Sequence, residues 1–178
     1  AKSEAVRYLV SQRKLIQAKQ PMIGPRNEFY HGFKDNDIYY KGAWILHTMR
    51  SVIDNDSLWF AALKGFCLQY RHSIVKTEDV IAYFNNSTGR NWDTFFKQYL
   101  YTATLPVLDI KFKSIDGQSY VYYKWKNAVN GFNMPIKIST KDGEPILIIP
   151  TAKTRKIKWN SNETNLFLVS SYYLIENK

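Results

Sequence analysis

Few side chains in this sequence could support catalysis or hold a metal. Its three histidines, His31, His47 and His72, are followed by Gly32, Thr48 and Ser73. A zinc-hydrolase helix carries His-Glu-x-x-His, because two imidazoles one turn apart share a face and the glutamate reaches the metal-bound water. No histidine here precedes a glutamate, and no two stand three or four residues apart. The sequence therefore contains no metal motif. A zinc site gathered from all three histidines across separate elements is the alternative to reading His47 as a partly buried, hydrogen-bonded side chain on a helix. Cys67 is the single cysteine, so no internal disulfide can form. Its neighbours Phe66 and Leu68 predict a buried small hydrophobe rather than a reactive thiol. There is no phosphate-cradling glycine pattern, no Gly-x-Ser-x-Gly turn and no cysteine pair. The basic stretch from Lys153 to Lys158 could meet an acidic partner, but its alternation with Ile157 and Trp159 favours a solvated strand face. Asn85, Asn86 and Asn162 each open an Asn-x-Ser/Thr sequon, a pattern too frequent by chance to carry weight.

The elements that must position these residues fall into two runs. Up to about residue 105 the apolar spacing is helical. Ser3 is placed to cap a first helix in which Val6, Leu9, Val10 and Ile16 share a face, ending before Pro21. A turn-rich loop through Pro21, Gly24, Pro25, Asn27 and Gly32 leads into a second helix from about Tyr39 to Ile53, striped by Ala43, Leu46, Met49 and Ile53. Asp56 or Ser57 caps a third, lined by Phe60, Leu63, Cys67 and Tyr70. Thr77 caps a fourth, with Glu78 and Asp79 complementing its dipole, and Gly89 ends it. Asn91 caps a fifth, which carries Trp92, Phe95, Phe96, Tyr99 and Leu100.

At Pro106 the period changes to two: Leu108, Ile110 and Phe112 alternate with Asp109, Lys111 and Lys113. Asp116-Gly117, Asn130-Gly131 and Asp142-Gly143 read as hairpin turns. The strands between and after them include Tyr120 to Trp125, Met134 to Ser139, Arg155 to Trp159 and a last one from Leu166 to Tyr173. A helical run followed by an all-strand run predicts an α+β chain of two modules, residues 1–105 helical and residues 106–178 a small antiparallel β-sandwich.

Composition excludes several classes. Hydrophobic residues at 45% and charged residues at 22% describe a folded chain, and no apolar run approaches the roughly 18 residues of a membrane span. The net charge of +10 divides evenly, with 14 basic against 9 acidic residues up to residue 105 and 11 against 6 beyond it. That spread argues against a nucleic-acid partner, whose binder concentrates charge on one element. The chain opens without methionine or a signal peptide and reads as a piece of something longer.

One stretch connects the helices to a known chemistry. Tyr39-Tyr40-Lys41-Gly42-Ala43, opening a helix that continues from Trp44 to Arg50, resembles the Tyr-x-Lys-Gly-Ala signature of the aminopeptidase N family of zinc metallopeptidases. Thr77-Glu78-Asp79-Val80, Gly89, Phe95-Phe96, Gln98-Tyr99-Leu100 and Leu105-Pro106-Val107-Leu108 follow in the family's order and spacing. The match spans roughly residues 1 to 112, and Tyr99 and Thr104 depart from the family's usual Trp and Gly. The resemblance implies that residues 1–105 are the carboxy-terminal portion of a thermolysin-like catalytic domain and that residues 106–178 are the family's sandwich. It implies that the full-length parent removes amino-terminal residues from peptide substrates with one zinc ion. The zinc-binding helices would precede Ala1, so this fragment would hold no cofactor and be inactive alone. It assigns Tyr39 the catalytic task of steadying the tetrahedral oxyanion. The competing reading is a non-catalytic scaffold or interaction module derived from the same family.

Overall fold

The computed structural model describes residues 2–24, 35–140, 143–160 and 169–177. Helix α1 (Lys2–Gln12) runs into a 3-10 turn at Arg13–Leu15. Ser3 lies inside α1 rather than capping it, and Val10 faces solvent while Leu9 packs on the core. Helix α2 (Asp37–Ile53) buries Asp37, Lys41, Trp44, Ile45, Thr48 and Met49. Ala43 and Leu46 of the expected stripe point outward. Three of the six buried residues are polar, so a search for apolar spacing finds the wrong face of this helix.

Asn55 caps α3 (Asp56–Tyr70), its side chain accepting the Leu58 N–H at 3.0 Å. The Arg50 guanidinium forks onto the Asp56 carboxylate at 2.8 and 2.9 Å and ties the two helices together. Trp59 and Ala62 face the core, whereas Phe60 and Cys67 are exposed. The inference that Cys67 is buried was therefore wrong: Phe66 turns inward onto Tyr70, Tyr83 and Phe84, and leaves its neighbour outside. At Gly65 the approach of α4 (Thr77–Thr88) is closest, because a Cβ there would collide with the Tyr83 hydroxyl. That hydroxyl donates to the Ala62 carbonyl at 3.0 Å. The Asp79 carboxylate accepts the Lys76 N–H at 2.9 Å at the start of α4, and Gly89 closes the helix at φ 65. Helix α5 (Asp93–Tyr101) starts where Asn91 accepts the Asp93 N–H at 2.8 Å, and it buries Phe95, Phe96, Gln98 and Tyr99.

Strands β1 (Val107–Ile115) and β2 (Gln118–Lys126) form an antiparallel hairpin closed by Asp116 and Gly117, both at positive φ as a two-residue turn of this hand requires. Strands β3 (Ile136–Ile138) and β4 (Ile146–Ile148) pair with each other in a separate two-stranded sheet. Asn130-Gly131 therefore makes a turn but no hairpin, and Asp142 lies outside the described residues. Strand β5 (Arg155–Lys158) pairs with β2. The expected last strand is instead a short helix, α6 (Val169–Tyr172), with residues 166–168 outside the described part. Strand β6 (Glu176–Asn177) then runs parallel to β1, giving the order β5-β2-β1-β6 and a mixed rather than wholly antiparallel sheet.

Helices and sheets share one apolar core, from Trp44 through Tyr99 and Trp125 to Ile175. The segment Tyr173–Ile175 is threaded through it. The Leu174 N–H donates to Thr48 Oγ1 at 2.9 Å, and the Leu174 carbonyl accepts from Tyr99 Oη at 2.8 Å. The Arg13 guanidinium donates to the Tyr173 carbonyl at 3.2 Å and to that of Ile175. Tyr99 thus supplies a hydrogen bond that its position demands, and burial pushes its phenol far above the ordinary range.

Candidate functional site

The first turn of α2 is fixed by charges that have been taken out of water. Asp37, almost fully buried, accepts the N–H groups of Gln17 and Ala18, each at 2.8 Å. Both donors lie in the extended segment after α1, where Ala18 adopts φ 50. The Asp37 N–H donates in turn to the Asp35 carboxylate at 3.0 Å. Two carboxylates at a helix N-terminus also suit the positive end of its dipole. The Lys41 side chain is 0% exposed, and its Nζ donates to the Thr102 carbonyl at 3.0 Å, just past the end of α5. Desolvation holds the Lys41 ammonium below its ordinary value, opposed by the charges of Asp37 and then Asp35. The first turn is thereby tied to the segment after α1 and to the end of α5.

Tyr39 stands on this anchored turn and is 63% exposed. Its N–H and that of Tyr40 both bond the Asn36 carbonyl at 3.0 Å. Two residues along a helix turn the side chain by roughly 200 degrees. The Tyr-x-Lys spacing therefore sends the lysine inward and the phenol outward, with Tyr40 half-buried between them. Gly42 is not needed for close packing, since a Cβ there would meet only Met22 Cε at 3.7 Å. Such a phenol can donate one hydrogen bond to an acceptor placed against this face.

The histidines are not brought together. His47 lies on α2 with Nε2 at 3.1 Å from the Ser171 carbonyl, edge-on to Trp44 and stacked with Tyr172, in the partly buried setting expected of it. His72 is exposed beyond the end of α3, and His31 lies outside the described residues. Among the described residues no group of three or more His, Cys, Asp or Glu side chains is placed to hold a metal ion. A cleft of about 680 Å³ opens between α1, α2 and α6, lined by Val6, Leu9, His47, Arg50, Asp54 and Tyr172. It does not include Tyr39. The Arg50 and Lys137 charges along it are paired with Asp56 and Asp54. Sequence reading missed Asp37 and Lys41 as buried anchors. Both sit in or beside the Tyr-x-Lys motif, but their partners at Gln17, Ala18 and Thr102 are distant in sequence.

No family model matches the chain, and no curated protein matches it. Among solved structures it is similar to Legionella pneumophila aminopeptidase A, determined in complex with aspartic acid, with a TM-score of 0.64 and 18% identity. The likeness covers 97% of this chain and 23% of that one, so the chain spans less than a quarter of its neighbour's length. At that identity the likeness is one of fold. The chain has a mixed helix-and-sheet architecture that is compatible with the α+β class and similar in fold to a segment of that structure.

Proposed function

We propose that this chain belongs to a zinc metallo-aminopeptidase of the aminopeptidase N type, in which Tyr39 donates a hydrogen bond to the oxyanion of the tetrahedral intermediate. In this reading residues 1–105 are the helical carboxy-terminal portion of a thermolysin-like catalytic domain, residues 106–178 form its β-sandwich, and the substrates are peptides. The observation that carries it is the division of labour in Tyr39-Tyr40-Lys41: a buried lysine and aspartate fix the helix start, and the phenol projects from it into the open. When water adds to a peptide carbonyl, the oxygen becomes an anion. A donor held in place beforehand stabilises that charge more than the neutral carbonyl, without reorganising during the reaction. One such donor lowers the barrier by about 2.7–4 kcal/mol.

The described side chains do not form a zinc site, so the metal is assigned to the rest of the parent and no step is routed through it here. This chain alone is accordingly expected to hold no zinc and to be inactive. The test is made on the full-length protein, by elemental analysis and by release of amino-terminal residues from peptides with free and blocked amino termini. Stoichiometric zinc, with release from free termini that a chelator abolishes, is expected. Absence of both zinc and release would favour the scaffold reading.

A further inference from the structure

Strand pairing gathers charge that the linear sequence spreads out. The register of β1 and β2 sets Asp109 opposite Lys124, Lys111 opposite Tyr122 and Lys113 opposite Tyr120. The register of β2 and β5 sets Tyr122 opposite Lys156 and Tyr120 opposite Lys158. Opposed residues share a face, and successive residues alternate between faces. One face therefore carries Lys111, Lys113, Lys124, Lys126, Lys156 and Lys158 around Tyr120 and Tyr122. The reverse face is core, with Leu108, Val121, Tyr123 and Trp125 buried. Asp109 is the only acid in these three strands, and Lys126 holds it at 2.8 Å. The tyrosine rings are half-buried and form a floor: the Lys113 ammonium stands 5.3 Å from the Tyr122 centroid and that of Lys156 stands 5.1 Å from the Tyr120 centroid. The depression on this face is shallow, about 200 Å³.

We infer that this face is a docking surface for an anionic lipid bilayer. All of its cations are lysines, compact point charges without the planar fork that grips single phosphates or carboxylates. Neighbouring strands lie about 4.8 Å apart and same-face side chains about 6.7 Å apart, so the charges spread over an open array around a depression of only about 200 Å³. An open array suits a broad, laterally mobile surface. It offers no channel to track a single nucleic-acid strand and no groove to enclose a peptide. Lysine stems and tyrosine rings are also the side chains that tolerate the boundary between water and acyl chains. No described helix is long and apolar enough to cross a membrane, so the contact would be peripheral and weakened by salt. Each basic side chain at an anionic leaflet strengthens association on the order of fivefold. This inference is independent of the role proposed for Tyr39.

The experiment is co-sedimentation of the protein with phosphatidylcholine vesicles, with and without roughly 30% phosphatidylserine. Two double variants of equal charge are compared: Lys111→Gln/Lys156→Gln on the face, and Lys64→Gln/Lys97→Gln on exposed positions of α3 and α5. Binding to the serine-containing vesicles is expected, about 30-fold weaker for the face variant and within about twofold for the control pair. Equal weakening by both pairs would reduce the effect to net charge and overturn the inference. Absence of binding would overturn it too. So would tighter binding of oligothymidylate at the same ionic strength through the same lysines, which would reassign the face to nucleic acid.

Discussion

Replacing Lys41 by Met tests whether a buried cation fixes the helix that carries Tyr39. The variant keeps the length and apolar stem of the side chain and removes the ammonium that donates to the Thr102 carbonyl at 3.0 Å. Leaving that carbonyl without a partner costs about 1–3 kcal/mol. Against this stands relief of desolvation, the largest influence on Lys41, which outweighs the attraction of Asp37 and Asp35. The net expectation is a loss of about 1–2 kcal/mol, or a fall in Tm of roughly 4 °C for a chain of this size. The pH dependence is more specific. The unfolded lysine keeps its proton up to its ordinary value of 10.5, while the folded one gives it up earlier. Between those two values the unfolded state binds more protons, so the stability of the parent rises with pH. The Met variant lacks this rise. Urea denaturation of both proteins from neutral pH to pH ~10 should therefore show the gap between them widening towards alkali. Titrating tyrosines are common to both and cancel in the difference. A gap that stays constant or narrows would refute the placement of Lys41 as a desolvated, charged anchor.

Other substitutions probe the packing that holds this turn. Tyr99→Phe should cost about 1–3 kcal/mol in chemical denaturation, because it strands the Leu174 carbonyl that Tyr99 Oη serves at 2.8 Å. Thr48→Val should cost a similar amount by stranding the Leu174 N–H, and the two losses should be non-additive because they share Leu174. Gly65→Ala should lower stability by about 1–3 kcal/mol, since the new methyl displaces the Tyr83 hydroxyl from the Ala62 carbonyl. Gly42→Ala, measured beside it, should be neutral or better, because the position is helical and only Met22 lies near.

Helix existence was legible where capping and apolar spacing agreed, as in α5 and the Trp92 that precedes it, where Trp92, Phe95, Phe96 and Tyr99 are buried as their spacing predicts. The Asp116-Gly117 hairpin was legible too, because only a few residue pairs tolerate two successive positive φ values. Reading failed where polar residues form the buried face. In α2 the core side includes Asp37, Lys41 and Thr48, whose partners at Gln17, Ala18, Thr102 and Leu174 are distant in sequence. Nothing local announces such bonds. The carboxy-terminal segment was misread as well: where a strand was expected, Val169–Tyr172 forms a short helix that contacts α1, α2 and β3, all distant in sequence. Charge counted along the chain was evenly divided, and only the register of β1, β2 and β5 shows six lysines on one face. For the candidate site, the motif located Tyr39 and the structure supplied the anchors beneath it.

The most direct test of the role given to Tyr39 is steady-state peptide hydrolysis by the full-length protein carrying Tyr39→Phe. The substitution removes one exposed hydroxyl and leaves the buried anchors untouched, so folding and zinc content should match the parent. A fall in kcat of about 100- to 1000-fold with little change in KM is the expected result. Full activity in a folded, zinc-loaded Tyr39→Phe protein would contradict the assignment.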